Sequence, residues 1–302
     1  MENKFTLRGP AGGLESISKM VYKVRQILIF NRRTDMGKKT LSLSAFLLLL
    51  SALAYPVIAC RTWNWTTLVP GVEYGIFPGN IHIVRANPSE IKLKLLLASE
   101  HDKKLRTTAG WCKEFNLIAA INAGMYATDY STNVGYLRNG EHVQNGRWSR
   151  NYKSALAFDP ILPGLAPAVM VDLDEPDART KLKDYRSVVQ NLRLLKGNGV
   201  NVWQKSDRRW SEAAVGMNDQ GRIFFIFCPV PYLMSEFNDR ITKLGLGITR
   251  MMHMEGGKEA SLSVRSDLIS RNLAGGFDRA LQSDNSSHEQ WPIPNVLGIQ
   301  AK

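Results

Sequence analysis

The stretch with the greatest chemical capacity is His253-Met254-Glu255-Gly256-Gly257-Lys258-Glu259-Ala260-Ser261. The strand expected over Thr249 to Met254 is followed by an acid, two glycines, a second acid and a hydroxyl, and a further strand, expected over Ala260 to Val264, begins there. Paired glycines let a backbone fold tightly beside a bulky ligand, while Glu255 and Glu259 supply the two carboxylates that acid–base chemistry uses. The same residues suit a hairpin loop with solvated charges, so the functional reading depends on what else converges on this turn.

Three other stretches carry polar groups where apolar ones are expected. Leu117 to Ile121 leads into Asn122-Ala123-Gly124-Met125-Tyr126, which places an amide and, at Gly124, an open backbone at the rim of a sheet. Ser187, Gln190 and Asn191 interrupt an apolar strand expected over Val188 to Leu195. Polar groups inside a strand buried on both faces need partners, so a site or a hydrogen-bond network is implied. Trp291-Pro292-Ile293-Pro294 is an extended segment that delivers Asn295 just before a final strand. A G-x-S-x-G elbow and an H-E-x-x-H helix are both lacking, and His253, Glu255, Asp284 and His288 do not have metal-ligand spacing, so neither a metal nor a cofactor is expected.

The elements that must position these groups are mostly short strands. Ile91-Lys92-Leu93-Lys94-Leu95 alternates with a period of two, and Val72 to Ile76 and Ile81 to Arg85 flank Pro78-Gly79-Asn80 as a hairpin. Ser154 to Phe158, Ala213 to Met217 and Arg222 to Phe227 are further strands. Helices are expected at Thr108 to Phe115 and after Ser235, which would cap a helix burying Phe237, Ile241 and Leu244. Asp172 to Lys183 reads as an exposed loop. Helices that do not alternate regularly with strands disfavour a Rossmann or barrel arrangement. The expected class is α+β, with a mixed, mainly antiparallel sheet and a few flanking helices.

The 302 residues carry a net charge of +12, which raises the question of nucleic acid. Seven Lys/Arg and three Asp/Glu fall in residues 1–35, and Lys38 and Lys39 add two more cations, leaving +6 spread thinly over the remainder. Without a basic run or a nucleic-acid motif, that excess suits anionic substrates or envelope polymers, and no nucleic-acid partner is expected. Residues 1–35 form a basic leader that an upstream start codon could account for. Residues 36–60 have the order of a signal peptide or membrane anchor: Lys38-Lys39, an uncharged stretch from Thr40 to Cys60 centred on Ala45 to Leu50, with Val57-Ile58-Ala59-Cys60 at its end. Cys60 stands where a bacterial lipoprotein is acylated, so export to the periplasm or envelope is expected, with the membrane reached through a Cys60 lipid or an uncleaved anchor. Cys112 and Cys228 show no C-x-x-C spacing and could pair or stay free. Residues 61–302 form the expected catalytic or binding domain.

Taken in order, Asn122-Ala123-Gly124-Met125, Gln190-Asn191, Ala213-Ala214-Val215-Gly216, Glu255-Gly256-Gly257 and Pro294-Asn295-Val296-Leu297 resemble the phosphodiester glycosidase family, over about Trp65 to Gly298. That resemblance implies a hydrolase cleaving a sugar 1-phosphodiester or related glycosidic bond. It makes Glu255 and Glu259 the catalytic carboxylates, and assigns carbohydrate contacts to Asn122, Gly124, Gln190, Gly256, Gly257, Ser261 and Asn295. Arg193 could attract the phosphate. The family commonly has Asp before the paired glycines and several serines after them, whereas Glu255 and Lys258-Glu259-Ala260-Ser261 stand here. The rival reading is a non-catalytic envelope module that binds a glycan or wall polymer, with Trp63, Trp65, Trp148 and Trp203 as stacking surfaces.

Overall fold

The computed structural model describes residues 63–204, 207–276 and 289–302. The basic leader, the apolar run and Cys60 lie outside the described residues, as do Asp284 and His288.

Strands dominate. The chain runs through β1 (Thr66–Val69), β2 (Val72–Phe77), β3 (Ile81–Ala86), β4 (Ile91–Leu97), helix α1 (Thr108–Glu114) and β5 (Ala119–Asn122). Next come β6 (Leu137–Asn139), β7 (His142–Asn145), β8 (Ser154–Pro160), β9 (Ala168–Asp172), α2 (Ala178–Lys181), β10 (Tyr185–Asn191), β11 (Arg193–Lys196) and β12 (Val200–Asn201). The last part comprises β13 (Arg209–Asn218), β14 (Ile223–Leu233), α3 (Met234–Lys243), β15 (Ile248–Gly256), β16 (Ser261–Arg265), β17 (Ser270–Ala274) and β18 (Asn295–Ala301).

They form three sheets, in the orders β1-β2-β3-β14-β13-β15-β11-β12, β7-β6-β10-β8-β9 and β17-β16-β5-β18-β4. Every strand pair among the described residues is antiparallel, which corrects the expectation of a mixed sheet: parallel neighbours need long crossovers, and here short turns join most successive strands. The fold is more β-rich than a balanced α+β domain.

Inner faces of all three sheets share one core. Val84, Val215, Phe225 and Met252 come from the first sheet, Leu156 and Val189 from the second, and Ile121, Leu262 and Leu297 from the third. Each outer face is covered by a helix, so most central strands are apolar on both sides. Phe237 and Ile241 of α3 cover the first sheet, Trp111 of α1 the third, and Ala178 of α2 the second. The Thr107 hydroxyl caps α1 by accepting the Gly110 N–H at 3.0 Å. Helix α3 begins two residues earlier than its sequence suggests, with Leu233 at the cap and Ser235 inside, so the expected serine cap is absent. The segment expected as one loop over Asp172 to Lys183 instead holds α2, and Asp172 is buried.

The single strand expected over Val188 to Leu195 is two strands in two sheets. The chain leaves the second sheet after Asn191 and enters the first at Arg193. Asn191 Oδ1 accepts the Leu192 N–H at 2.7 Å, and its Nδ2 donates to the Met254 carbonyl at 3.1 Å, so one amide frees the backbone from one sheet and ties it to the next. Its neighbour Gln190 is fully buried. Gln190 Oε1 accepts the Tyr136 and Ser149 N–H groups, both at 3.0 Å, while Nε2 donates to the Ser149 and Tyr152 carbonyls, both at 2.8 Å. Gln190→Ala strips partners from four buried or half-buried backbone groups and is expected to lower the unfolding free energy by about 3 kcal/mol. Urea denaturation of parent and variant measures this, and a change under about 1 kcal/mol would mean that water replaces the amide.

Candidate functional site

The ends of β5, β10, β15 and the starts of β16 and β18 meet where the three sheets join. Strand β15 reaches this point through a bulge: Ala213 pairs with Glu255 and Ala214 with His253, which leaves Met254 as the extra residue. Cross-strand partners share a face. Ala213, like Met252 and Met254, belongs to the core between the sheets, while Ala214 belongs to the cluster under α3. The bulge therefore puts Glu255 on the inner side, although His253, two residues away, faces outward.

Glu255 and Glu259 line one cavity of about 450 Å³ with Met125, Tyr126, Ala127, Tyr130, Val134 and Gly256. Desolvation pushes the Glu255 carboxyl up from the ordinary 4.5 to about 7; His253 and the Gly256 N–H, 3.0 Å from Oε1, pull the other way, and Glu259 and Glu212 add to the rise. The Tyr126 phenol is driven well above its usual range by burial and then by Glu255, against the pull of Asn122. Tyr152 is pushed up to about 12 by burial and by Glu255. Both phenols thus keep their protons beside the carboxylate, where they can donate hydrogen bonds.

On the outer side, His253 Nδ1–H donates to Glu212 Oε1 at 2.6 Å, and Trp210 Nε1–H donates to Glu212 Oε2 at 3.0 Å. Burial pulls the imidazolium down, but the Glu212 charge and its hydrogen bond outweigh it, so the His253 pKa is raised. A Cβ on Gly256 would lie 2.6 Å from Trp210 Cδ1, so this position has room for glycine alone, and Gly257 turns the chain at φ +72° into a single 3-10 turn, Gly257–Glu259.

The amides assigned to substrate by sequence do something else. Asn122 Nδ2 donates to the Tyr126 hydroxyl at 3.0 Å and to the Glu259 carbonyl at 2.8 Å, and Oδ1 accepts the Ser261 N–H at 2.8 Å. Asn295 exchanges two hydrogen bonds with Gln144, at 2.8 and 3.2 Å. Together with Gln190, these side chains are buried and occupied by protein, so they position the cavity wall and do not present free donors to a sugar. Asn122 fixes Tyr126 and the Glu259 backbone; Gln190 fixes Tyr152 beside Glu255. Gly124, at φ +108°, lets Asn133 pack against the backbone behind Met125. Ser261 is fully buried beside Asn122, and its hydroxyl has no protein partner among the described residues.

Arg193 is held away from this site by Asp172 and, at 3.0 Å, by Asp174, because β11 carries it into the first sheet. The tryptophans considered for stacking are packed: Trp63 and Trp65 sit edge-on to Phe77, Trp148 stacks on Tyr136 at 4.3 Å, and Trp203 packs against the cluster under α3. None of the four lines the cavity. Cys112 and Cys228 are free and buried. Sequence reasoning missed the roles of Tyr126, Tyr152 and Glu212. Tyr126 stands within a quoted motif, and Glu212 was detectable only as an acid opening an otherwise apolar run.

The phosphodiester glycosidase family matches residues 115–300, and the chain belongs to that family. The zebrafish N-acetylglucosamine-1-phosphodiester alpha-N-acetylglucosaminidase catalytic domain, auto-inhibited by its pro-peptide, shares the fold. Its TM-score is 0.53 at 11% identity, over 80% of this chain and 82% of that one. A hypothetical protein from Synechocystis is similar with a TM-score of 0.50 at 11% identity, over 80% of this chain and 61% of that one. No curated protein matches by direct sequence comparison.

The raised Glu255 value makes folding depend on pH. Between pH 4.5 and about 7 the folded state binds more protons than the unfolded one, so the stability present below 4.5 is lost as pH rises through 7, by about 3 kcal/mol. Glu255→Gln keeps the shape without the charge and is expected to melt higher than the parent near pH 8 and at the same temperature near pH 4.5. Identical melting curves at both pH values would mean that the carboxylate is solvated.

Proposed function

We propose that this protein is an exported hydrolase that cleaves the bond between a sugar's anomeric carbon and a phosphodiester oxygen. The observation that carries the reading is Glu255, desolvated to a pKa of about 7, sharing one cavity with Glu259 and Tyr126 in a chain of the phosphodiester glycosidase family. Phosphate leaves as a stable anion and keeps the bonding pair, so strong general-acid help is unnecessary. What the site must supply is a water made nucleophilic and a charge to steady the oxocarbenium-like carbon.

Ionised Glu255 takes a proton from the attacking water as its oxygen bonds to the anomeric carbon. A base poised near neutrality suits this work. Glu259 faces the same cavity and stabilises the positive carbon. Tyr126 accepts a hydrogen bond from Asn122, which leaves its own O–H to donate to a sugar or phosphate oxygen.

Release of free sugar from sugar phosphodiesters tests the reading. Glu255→Gln is expected to lower kcat/KM by about a hundredfold or more, and the parent's kcat/KM should rise with pH to a plateau with its midpoint near 7. Full activity in the variant would remove Glu255 from the mechanism, and glycan binding by the parent without turnover would favour the non-catalytic envelope module.

Export is part of the same proposal and rests on Lys38-Lys39, the apolar run and Cys60. Mass spectrometry of the mature N-terminus is expected to find an acylated Cys60 or a cleavage beside it. An intact N-terminus recovered from the cytoplasm would overturn it.

A further inference from the structure

A cavity walled by two carboxylates repels an anionic substrate unless a cation balances them. Several basic side chains near the sheet seam are already engaged: Arg193 with Asp172 and Asp174, Lys153 with Asp174, and Arg250 with Glu175 at 2.7 Å. Lys258 differs from these. It stands between Gly257 and Glu259 on the turn that forms the cavity rim, and its neighbours Gly256 and Glu259 both line the cavity. Its ammonium lies 4.0 Å from the centroid of the Trp291 ring and 3.9 Å from Glu259 Oε1, at the outer limit of an ion pair. The lysine side chain is 45% exposed and Glu259 15%, so the cation lies on the solvent side of an acid that lines the cavity.

We propose that Lys258, steadied by Trp291, is the residue that selects a phosphate-bearing leaving group. Resting over the indole, the ammonium is kept near the mouth at little entropic cost, and a weak 3.9 Å contact with Glu259 is readily exchanged for a non-bridging phosphate oxygen. Lysine acts as a point charge with rotatable donors, which suits a diester whose orientation is set elsewhere by the sugar. This rests on the hydrolase reading for its reaction but not for its binding chemistry.

The experiment uses the full chain and two kinds of substrate on the same sugar: a phosphodiester and an aryl glycoside whose leaving group is an uncharged phenol. Lys258→Gln is expected to raise KM for the phosphodiester about tenfold to a hundredfold with little change in kcat, and to leave the aryl glycoside within about twofold. Lys258→Arg should recover part of the loss, and Trp291→Ala should show a smaller loss confined to the phosphodiester. The parent's phosphodiester KM should rise with salt, and that of Lys258→Gln should not. Equal losses on both substrates, or no loss on the phosphodiester, would overturn the assignment. If the parent cleaves neither substrate, the hydrolase reading fails, and calorimetric titration with hexose 1-phosphates and the corresponding free hexoses decides the lysine separately. Tighter binding of the phosphates by the parent, lost in Lys258→Gln, supports it; equal binding by both proteins sinks it.

Discussion

Three sheets sharing one core must meet along seams, and a seam is where sheet ladders end and backbone N–H and C=O groups lose their regular partners. Leaving such groups dry and unpaired costs on the order of 1–3 kcal/mol each, so the fold depends on what satisfies them. Here buried amides do so. Asn191 links the second sheet to the first, Asn295 links the third to β7 of the second through Gln144, and Asn122 links the third sheet to the turn that leaves the first. An amide suits this work because it carries donors and an acceptor on one short, uncharged side chain.

That requirement explains why the cavity forms at the seam. Strand ends stapled by amides leave a fixed gap between them, and the turn Gly257–Glu259 borders it, with Trp210 packed where a side chain at the preceding Gly256 would lie. The bulge at Met254 then sends Glu255 inward while His253 stays with Glu212 on the far face. One strand thereby presents a desolvated acid to the cavity and a hydrogen-bonded histidine to the packing under α3, an arrangement that regular alternation of side chains could not produce.

Much of this was legible in the sequence, and the limits have physical causes. A period of two located Ile91–Leu97 and the Pro78-Gly79-Asn80 turn located the Val72–Ala86 hairpin within a residue or two, because these strands obey local rules. The polar residues of β10 were rightly read as needing partners, but a sequence cannot say whether the partner is ligand or protein, and for Gln190 and Asn191 it is protein. The break at Leu192 was invisible because Val188-Val189 before it and Leu194-Leu195 after it read as one strand, and the Asn191 amide marks the change of sheet. Glu212 and His253 lie 41 residues apart and pair across a diagonal of two strands, a register set by a bulge that no local pattern encodes.

The same amides connect stability to chemistry more tightly than direct substrate contact would. Asn122 holds Tyr126 with one N–H and the Glu259 backbone with the other, so phenol and acid cannot drift independently. Gln190 pins Tyr152 by its carbonyl, and the Tyr152 phenol is pushed up to about 12 by burial and then by the Glu255 charge. A group preorganised in this way needs no reorganisation when charge develops, which is where electrostatic catalysis gains most. Burying an acid to a pKa of about 7 costs stability, and the close-packed three-sheet core is what tolerates that cost. Substitutions of the amides therefore act on the geometry of the cavity and on folding at once.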